Sequence, residues 1–555
     1  MTDWQTHAAL RSRREASKAS GVALLVFGFF AAGCVSVAGY QRGEVVPVDE
    51  LVRHRDDPVA LAVRLLAEGR PALAFHALEV GRTMRFVGEQ LVRRDHRQRA
   101  ASGLTLGDDL RISAASAGTD CRDDLPGSCG RAGPSLAVRG GSRGLVMQRL
   151  GAARRARDQT AQDQFWTDYK IVERRLEAFA RSEGVRSYRS IFHGRFVVPS
   201  AANAQLSLGP EQAYVSYLIA DVAWALVVTR RGSHAVRLAA PPDAIAAAAA
   251  ALRVAILCPT YRPDVQLRRC GPRWHEAWQA PAAQLHAMVL APIESHLQGA
   301  TSLFVASDGP LVHVPFAVLR NADGQLAIRR RRITYVPSLS IYLMALNRKR
   351  SEAPPSMLAV GDPLHELAQT MRLPMAALEA TTVGGIFDGS TVRIDATASE
   401  VSVLRDIASH NVLHFATHGI ASRDDPLLSA LLLASGDGGD GLLTADEIRW
   451  LNLDHLHVAV LSACETAVAS EAHGGDAALS SLVGSFLVAG APAVVGTFWQ
   501  VNDTSTTLLM MRFYEAFLEV GVSEAIRRAQ LDLSGHAEFG HPFYWAAFSP
   551  WGIDS

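Results

Sequence analysis

The chain has 555 residues, of which 48% are hydrophobic and 20% charged. This is the composition of a globular protein with a sizeable core, and the length exceeds that of a typical single domain, so two or three domains are expected. Lys and Arg together number 55, as do Asp and Glu, so the net charge gives no indication of nucleic-acid binding.

The first forty residues have the charge order of an export signal. Basic residues between positions 11 and 18 precede an uncharged run from Gly21 to Tyr40, which is long enough to span a bilayer as an uncleaved anchor. Within this run, Ala31-Ala32-Gly33-Cys34 resembles a bacterial lipobox, whose cysteine is lipidated, although Ala31 stands where Leu is usual. A buried core helix is the third alternative. The first two alternatives predict that residues 1–40 tether an exported protein to the membrane, facing the periplasm.

The six cysteines support an oxidising compartment. Apart from Cys34 and Cys464, they form two close pairs, Cys121 with Cys129 and Cys258 with Cys270. Local disulfides, Cys121–Cys129 and Cys258–Cys270, are expected outside the cytosol, whereas four unrelated thiols are the alternative. Neither pair has the spacing of a zinc site, so no metal is predicted.

Residues 41–200 are predicted to form an α-helical region. One helix begins near Ala60, the run Glu68 to Pro71 breaks it, and a second helix covers Ala72 to Val92. The pair resembles a single tetratricopeptide-like unit, but no second copy follows, so we expect a helical hairpin packed on its neighbours. Residues 103–144 are rich in Gly, Ser, Asp and Arg and are predicted to be a loop insertion.

From about residue 201 to 555 the pattern changes to strands and helices. An antiparallel meander is predicted first, over 213–220, 224–229 and 235–238, and a hairpin is predicted over 326–328 and 332–336. From Ser302 onward strands and helices alternate, which favours an α/β fold with a mostly parallel, doubly wound sheet and a core at about 300–555. The last strand is predicted near Tyr544 to Phe548.

Two short apolar runs each end in a reactive side chain. The run 411–417 leads into His418 and Gly419, and the run 457–463 leads into Cys464. Such runs are typical of strands buried on both faces. Because adjacent parallel strands end at the same edge of a sheet, we expect His418 and Cys464 to emerge together, where open α/β sheets hold their sites.

This pair has the chemistry of a cysteine nucleophile and its base. A histidine can take the thiol proton near neutral pH, and the N–H groups of Gly419 and Cys464 are candidates to stabilise an oxyanion. On spacing alone, a buried structural cysteine is the alternative. His414 is predicted to be a core residue, and Gly436 to Gly441 to be a flexible loop rather than a calcium site. The sequence contains neither a Gly-x-Ser-x-Gly elbow nor a phosphate-binding loop.

Several motifs in order resemble the CHAT-domain family, the caspase- and separase-like cysteine peptidases that pair a His-Gly with a later Ala-Cys. The resemblance covers roughly Gln205 to Ser555, and many motifs in one order are far more specific than any one of them. The matching segments are 308–311, 314–316, 414–419, 426–434, 441–448, 461–466 and 541–548. The family implies a caspase-like, mostly parallel sheet flanked by helices.

The resemblance also implies roles for single residues. Cys464 matches the nucleophile and His418 the base of an endopeptidase that cleaves a protein partner and needs no cofactor. Relatives that cut after a basic residue have an acid in the substrate pocket, for which Asp308 is the first candidate and Asp503, which follows Trp499 in the same predicted substrate-binding segment, the second. The chain departs from the family pattern at two positions that border the cleft, Ala467 and Gln500.

A catalytically silent scaffold is the alternative function. In that case the sheet and the N-terminal helices bind a protein partner at the membrane, and the cysteine and histidine do no chemistry. If the chain is a peptidase, an activating protein partner is also expected.

Overall fold

The described part of the chain, in a computed structural model, comprises residues 58–80, 82, 200–261, 263–346, 352–365, 372–422, 426–435, 439–463, 466–467 and 481–553. These residues belong to one compact unit, which spans 39–83 and 198–555. The predicted leader with Cys34, the predicted insertion at 103–144 and the pair Cys121 and Cys129 lie outside them. In this part of the chain, no helix has the length and apolar character needed to span a bilayer.

The strands are short and follow one another in chain order. They are β1 (Gln212–Ile219), β2 (Ala223–Thr229), β3 (Gly232–Arg237), β4 (Ser302–Ala306), β5 (Arg332–Tyr335), β6 (Met357–Pro363), β7 (Thr391–Asp395), β8 (Val412–Ala416), β9 (Gly419–Ile420), β10 (Ala430–Leu432), β11 (Leu442–Thr444), β12 (Val458–Ser462), β13 (Ala493–Thr497) and β14 (Phe548–Gly552).

Helices connect and cover these strands. They are α1 (Pro58–Ala67), α2 (71–80 and 82), α3 (Ala201–Ser207), α4 (Pro242–Ile256), α5 (Pro263–Cys270), α6 (Gln279–Val289), α7 (Ala327–Arg330), α8 (Leu339–Leu346), α9 (Pro374–Gly384), α10 (Glu400–Ile407), α11 (Ala445–Arg449), α12 (Leu482–Ala489), α13 (Asp503–Phe517), α14 (Val522–Ser534) and α15 (Pro542–Trp545). Short 3₁₀ turns lie at Cys258–Thr260, Ala291–Leu297, Gly309–Leu311, Phe316–Val318 and Pro426–Leu428.

An 11-stranded sheet carries the fold, in the order β3-β2-β1-β4-β5-β14-β13-β12-β8-β6-β7. Its neighbouring strands run parallel except in the pairs β1–β2, β2–β3 and β13–β14. The predicted fold class, a mostly parallel sheet flanked by helices with an antiparallel meander upstream, is confirmed. The meander is continuous with the main sheet, because β1 pairs in parallel with β4.

Helices cover both faces of the sheet, which explains the uninterrupted apolar runs of its central strands. Every residue of β6, β8, β12 and β13 is buried. On β8, His414 contacts Tyr514 of α13, whereas the next residue, Phe415, packs against Phe486 of α12. Successive strand residues point to opposite faces, so α13 and α12 lie on opposite sides of the sheet.

The helical hairpin of α1 and α2 packs on this sheet, as expected for a hairpin that buries one face on its neighbours. The Tyr214 hydroxyl of β1 donates to Glu79 of α2 at 2.7 Å, and Arg82 donates to the Ser216 hydroxyl at 2.5 Å and to the Tyr217 carbonyl at 2.8 Å. The hairpin is therefore bonded directly to β1 through buried polar side chains.

Two local predictions are wrong. The hairpin predicted over 326–336 does not form, because 327–330 is the helix α7 and β5 pairs in parallel with β4. The last strand lies over Phe548–Gly552 instead of 544–548, since the aromatic residues before it form the short helix α15, whose N-cap is His541. The edge strand β7 was not predicted.

Candidate active site

The strands that precede His418 and Cys464 are neighbours in the sheet. β8 and β12 run parallel, and their register pairs Ala416 with Ser462. His418 and Cys464 each follow two residues after that pair along the chain. Cys464 itself lies outside the described residues, but the strands that carry the pair end side by side at the carboxyl edge, as predicted.

The backbone around His418 is held by a small second sheet, in the order β11-β10-β9. The carbonyl of His418 accepts from the N–H of Leu432 at 2.9 Å, and the Thr417 hydroxyl donates to the Leu432 carbonyl at 2.5 Å. Gly419 then pairs with Leu431 as β9 begins. His418 and Gly419 are half-buried, so the residue sits at the rim of the sheet with part of its surface accessible to solvent.

The residues on either side of Cys464 are fixed to the next strand, β13. The Thr497 hydroxyl donates to the Ala463 carbonyl, and the Thr497 N–H donates to the Thr466 hydroxyl oxygen at 2.9 Å. The N–H of Ala467 donates to the Thr497 carbonyl at 2.9 Å. Residues 463, 466 and 467 are thus bonded to a single residue at the end of β13.

Below the site, a buried polar cluster links β8 to two helices. His414 is fully buried, as expected for a core residue, and its Nδ1 lies 3.1 Å from the Tyr514 hydroxyl. Its Nε2 lies 3.1 Å from the Glu379 carboxylate of α9. Burial and the Glu379 charge raise the pKa of Tyr514, so this tyrosine stays protonated and can donate to His414. The cluster connects β8, four residues before His418, to α9 and α13.

An acidic cluster lies beside the small sheet. Thr444 caps α11, and its N–H and hydroxyl both bond to the Glu447 carboxylate, at 2.9 and 2.8 Å. Glu400, the first residue of α10, accepts from the N–H of Gly441 at 3.1 Å. Burial, followed by the charges of Glu400 and Asp440, raises the pKa of Glu447 to about 7, although its two bonds to Thr444 oppose this shift.

We expect Glu447→Gln to change the pH dependence of stability. Because the pKa of Glu447 is higher in the folded chain than its ordinary value of 4.5, the folded state binds more protons between pH 4.5 and 7. This contribution is present below pH 4.5 and is lost as the pH rises to 7, by about 1 to 3 kcal/mol. The amide of Gln still accepts from Thr444 but does not titrate, so urea denaturation should show a flatter profile. Equal slopes in the two proteins would contradict this assignment.

The residues predicted to bind substrate are not all brought to the site. Asp308 follows β4, and the strands β5, β14, β13 and β12 separate β4 from β8. Its carboxylate is 7% exposed and accepts from the N–H of Ile219 at 3.1 Å. The structure therefore does not bring Asp308 together with His418, because strand order in space differs from strand order along the chain.

The other predicted substrate residues follow β13, next to the strand of Cys464. Trp499 is 2% exposed, and its indole N–H donates to the Phe543 carbonyl at 3.1 Å, so its ring packs inside the protein. Asp503 begins α13 directly after the N-cap residue Asn502, and its side chain lies outside the described residues.

Sequence reasoning missed one acid at the carboxyl edge. Asp362 lies in the last turn of β6, the strand beside β8, with a left-handed φ of 41°. Its carboxylate accepts from the Leu373 N–H at 2.8 Å and pairs with Arg372 at 2.6 Å, while Arg372 also contacts Asp395. The signal was the run Gly361-Asp362-Pro363 after a buried strand, which has the same pattern as the segment that ends in Asp308.

One predicted disulfide falls within the described residues. The sulfurs of Cys258 and Cys270 are 1.95 Å apart, and the bond links the turn after α4 to the end of α5.

Residues 279–553 match the family model described as the CHAT domain. The chain contains a CHAT domain. Among curated proteins, the domain is similar to tetratricopeptide repeat protein 28 of Homo sapiens, with 25% identity over 333 residues, and to that of Mus musculus, with 24% identity over 335 residues. These matches cover 49% of this chain but only 13% of either relative, so the chain spans a small part of their length.

Among solved structures, the CHAT chain is similar to two peptidase entities at low identity. For the Saccharomyces cerevisiae separase–securin complex the TM-score is 0.43 with 11% identity, over 74% of this chain and 32% of the other. For the Arg-specific cysteine proteinase gingipain R the TM-score is 0.35 with 9% identity, over 50% of this chain and 67% of the other.

The CHAT match begins at Gln279, the first residue of α6, but the sheet extends beyond it. Strands β1, β2 and β3 precede the match and join the sheet through the pairing of β1 with β4. The upstream strands are therefore structurally part of the sheet on which the CHAT domain is built.

Proposed function

We propose that this CHAT domain is a cysteine endopeptidase in which His418 activates Cys464 to cleave a peptide bond of a protein partner. The observation that carries the proposal is the parallel pairing of β8 with β12 and its register, Ala416 opposite Ser462. This register brings the chain positions of the base and the nucleophile to the same level of one sheet edge, on adjacent strands about 5 Å apart.

The reaction follows from these two side chains. The imidazole of His418 takes the thiol proton, and the thiolate attacks the peptide carbonyl carbon, forming a C–S bond and an oxyanion. The N–H groups of Gly419 and Cys464 are the proposed donors to that oxyanion. The imidazolium then gives its proton to the leaving amine nitrogen as the C–N bond breaks, and a water molecule, deprotonated by His418, hydrolyses the thioester.

Cleavage after a basic residue is not part of this proposal. The Asp308 carboxylate is buried on the Ile219 N–H, and the Asp362 carboxylate already pairs with Arg372. A basic substrate side chain would have to displace Arg372 to reach Asp362, which is the acid nearer to β8 in strand order.

The test is covalent labelling of the full chain with a library of peptidyl acyloxymethyl ketones that vary in the residue next to the reactive group. We expect mass spectrometry to find the label on Cys464 in the wild type and to find none after Cys464→Ala. The variant Cys121→Ala with Cys129→Ala is the control, because it removes two other thiols and should label as the wild type does. Equal labelling of the wild type and Cys464→Ala, or an unlabelled wild type, would refute the proposal.

A non-catalytic scaffold is the second candidate function. It is favoured by the internal use of two predicted substrate residues, since Asp308 and Trp499 are both buried in contacts within the protein. The curated relatives also carry the name of a repeat protein, not of a peptidase. In this case the labelling experiment shows no preference for Cys464.

A further inference from the structure

We propose that Thr497 is a positioning residue that aims the Cys464 N–H toward the oxyanion and fixes the segment that carries the nucleophile. The inference rests on the proposed function and adds a residue on β13 to the site. Thr497 does not touch the substrate in this proposal, and it acts through Ala463, Thr466 and Ala467.

The contacts form a reciprocal clasp between two threonines. The Thr497 hydroxyl proton goes to the Ala463 carbonyl, so at the 3.2 Å contact between the two hydroxyl oxygens Thr466 must be the donor. The Thr466 oxygen in turn accepts from the Thr497 N–H at 2.9 Å. The N–H, the carbonyl and the hydroxyl of Thr497 each bond to a residue between 463 and 467.

The bond to Ala463 has a direct consequence for the nucleophile. The carbonyl of Ala463 and the N–H of residue 464 belong to one planar trans peptide unit, in which the two groups point in opposite directions. Fixing the carbonyl on β13 therefore also fixes the direction of the N–H, away from Thr497. A hydrogen bond accepted by the carbonyl also polarises the peptide unit, which makes its N–H a better donor to a developing oxyanion.

Burial makes the clasp rigid. Thr497 is 0% exposed and Thr466 is 1% exposed, so water does not compete for these bonds. The approach of the two segments needs a glycine before Thr497, since a Cβ on Gly496 would lie 2.3 Å from a Val483 methyl carbon and 3.2 Å from the Thr466 hydroxyl oxygen. The close packing at Gly496 leaves the 463–467 segment little freedom to move away from β13.

The experiment measures the inactivation of the full chain by a peptidyl acyloxymethyl ketone that labels Cys464. In Thr497→Val, which keeps the shape but loses the hydroxyl, we expect the maximal inactivation rate constant to fall about 10- to 100-fold. The half-saturating probe concentration should not change, because Thr497 makes no contact with the probe. Thr497→Ser keeps the hydroxyl and should restore the rate to within about threefold of the wild type.

A matched control separates positioning from stability. Thr334→Val removes a hydroxyl bond of the same kind, the 2.7 Å contact between Thr334 and Ser523, both buried but on β5 and α14. Thr334→Val should lose stability without a change in the maximal rate constant. If Thr497→Val does not fold, as judged by circular dichroism, Thr466→Val is the second variant. It removes the acceptor of the Thr497 N–H and should lower the same rate constant.

Two results would overturn the inference while leaving the proposed function intact. One is a Thr497→Val protein that reacts within about twofold of the wild-type rate, and the other is a Thr334→Val protein that slows as much as Thr497→Val. A wild-type chain that takes up no label at Cys464 is a different outcome and refutes the proposed function itself.

Discussion

Arg82→Met is expected to lower the free energy of unfolding by about 3 to 5 kcal/mol, because it leaves a carboxylate buried without its cation. Glu79 is 0% exposed and Arg82 is 3% exposed, and their charged groups approach to 3.7 Å. Burial raises the pKa of Glu79, and the charge of Arg82 counteracts this shift. In the variant, folding must either bury the charge or protonate it, and both cost free energy at pH 7.

Adding Glu79→Gln to Arg82→Met should recover part of the loss. The Gln side chain carries no charge, and its oxygen can still accept from the Tyr214 hydroxyl or from the N–H of Leu339, which bond to Glu79 at 2.7 and 2.9 Å. The double variant should therefore be more stable than Arg82→Met alone in urea denaturation. This non-additivity is the signature of an interacting buried pair.

An exposed pair on the same hairpin provides the control. Arg64 and Glu68 form an i,i+4 pair on α1 at 3.7 Å, with both side chains more than 40% exposed. Arg64→Met should change the free energy of unfolding by less than about 1 kcal/mol, as is usual for surface pairs. A loss in Arg82→Met no larger than that in Arg64→Met would show that the buried pair does not stabilise the hairpin on β1.

The central strands were predictable because both of their faces are covered. The buried segments that became β4, β6, β8, β12 and β13 are uninterrupted apolar runs, and such runs have one physical cause, helices packed on both sides of a parallel sheet. The pairing of β8 with β12 also followed, since two such strands joined by a crossover usually neighbour each other. This is why His418 could be assigned to the edge of the sheet from sequence alone.

The strands at the margins were not predictable in the same way. β7 contains Arg393 and Asp395 at an edge where only one side is packed, so it shows no apolar run. β14 contains Pro550, which lacks an N–H and demotes a strand in any propensity argument, although it pairs with Val495. The order of strands in space is also absent from local patterns, and this is why Asp308 was placed near the site and Asp362 was overlooked.

His418→Ala is expected to slow the reaction of Cys464 with a peptidyl ketone about 10²- to 10⁴-fold, the usual contribution of a general base. The physical reason is the loss of the group that holds the thiolate near neutral pH. An unassisted thiol has a pKa of about 8.5, so its thiolate fraction falls about 100-fold between pH 8.5 and pH 6.5. Alkylation of Cys464 by iodoacetamide, followed by mass spectrometry across this range, should therefore fall steeply in the variant and only slightly in the wild type.

His457→Ala is the matched control for this measurement. His457 precedes β12 at the opposite end of the strand from Cys464, and its Nε2 lies 3.1 Å from the Ala353 carbonyl. Its loss should leave the pH profile of Cys464 alkylation unchanged, because the strand keeps its pairing with β8. If His418→Ala and the wild type gave the same profile, His418 would not be the base, and the register of β8 and β12 would then bring together two side chains that do not act on each other.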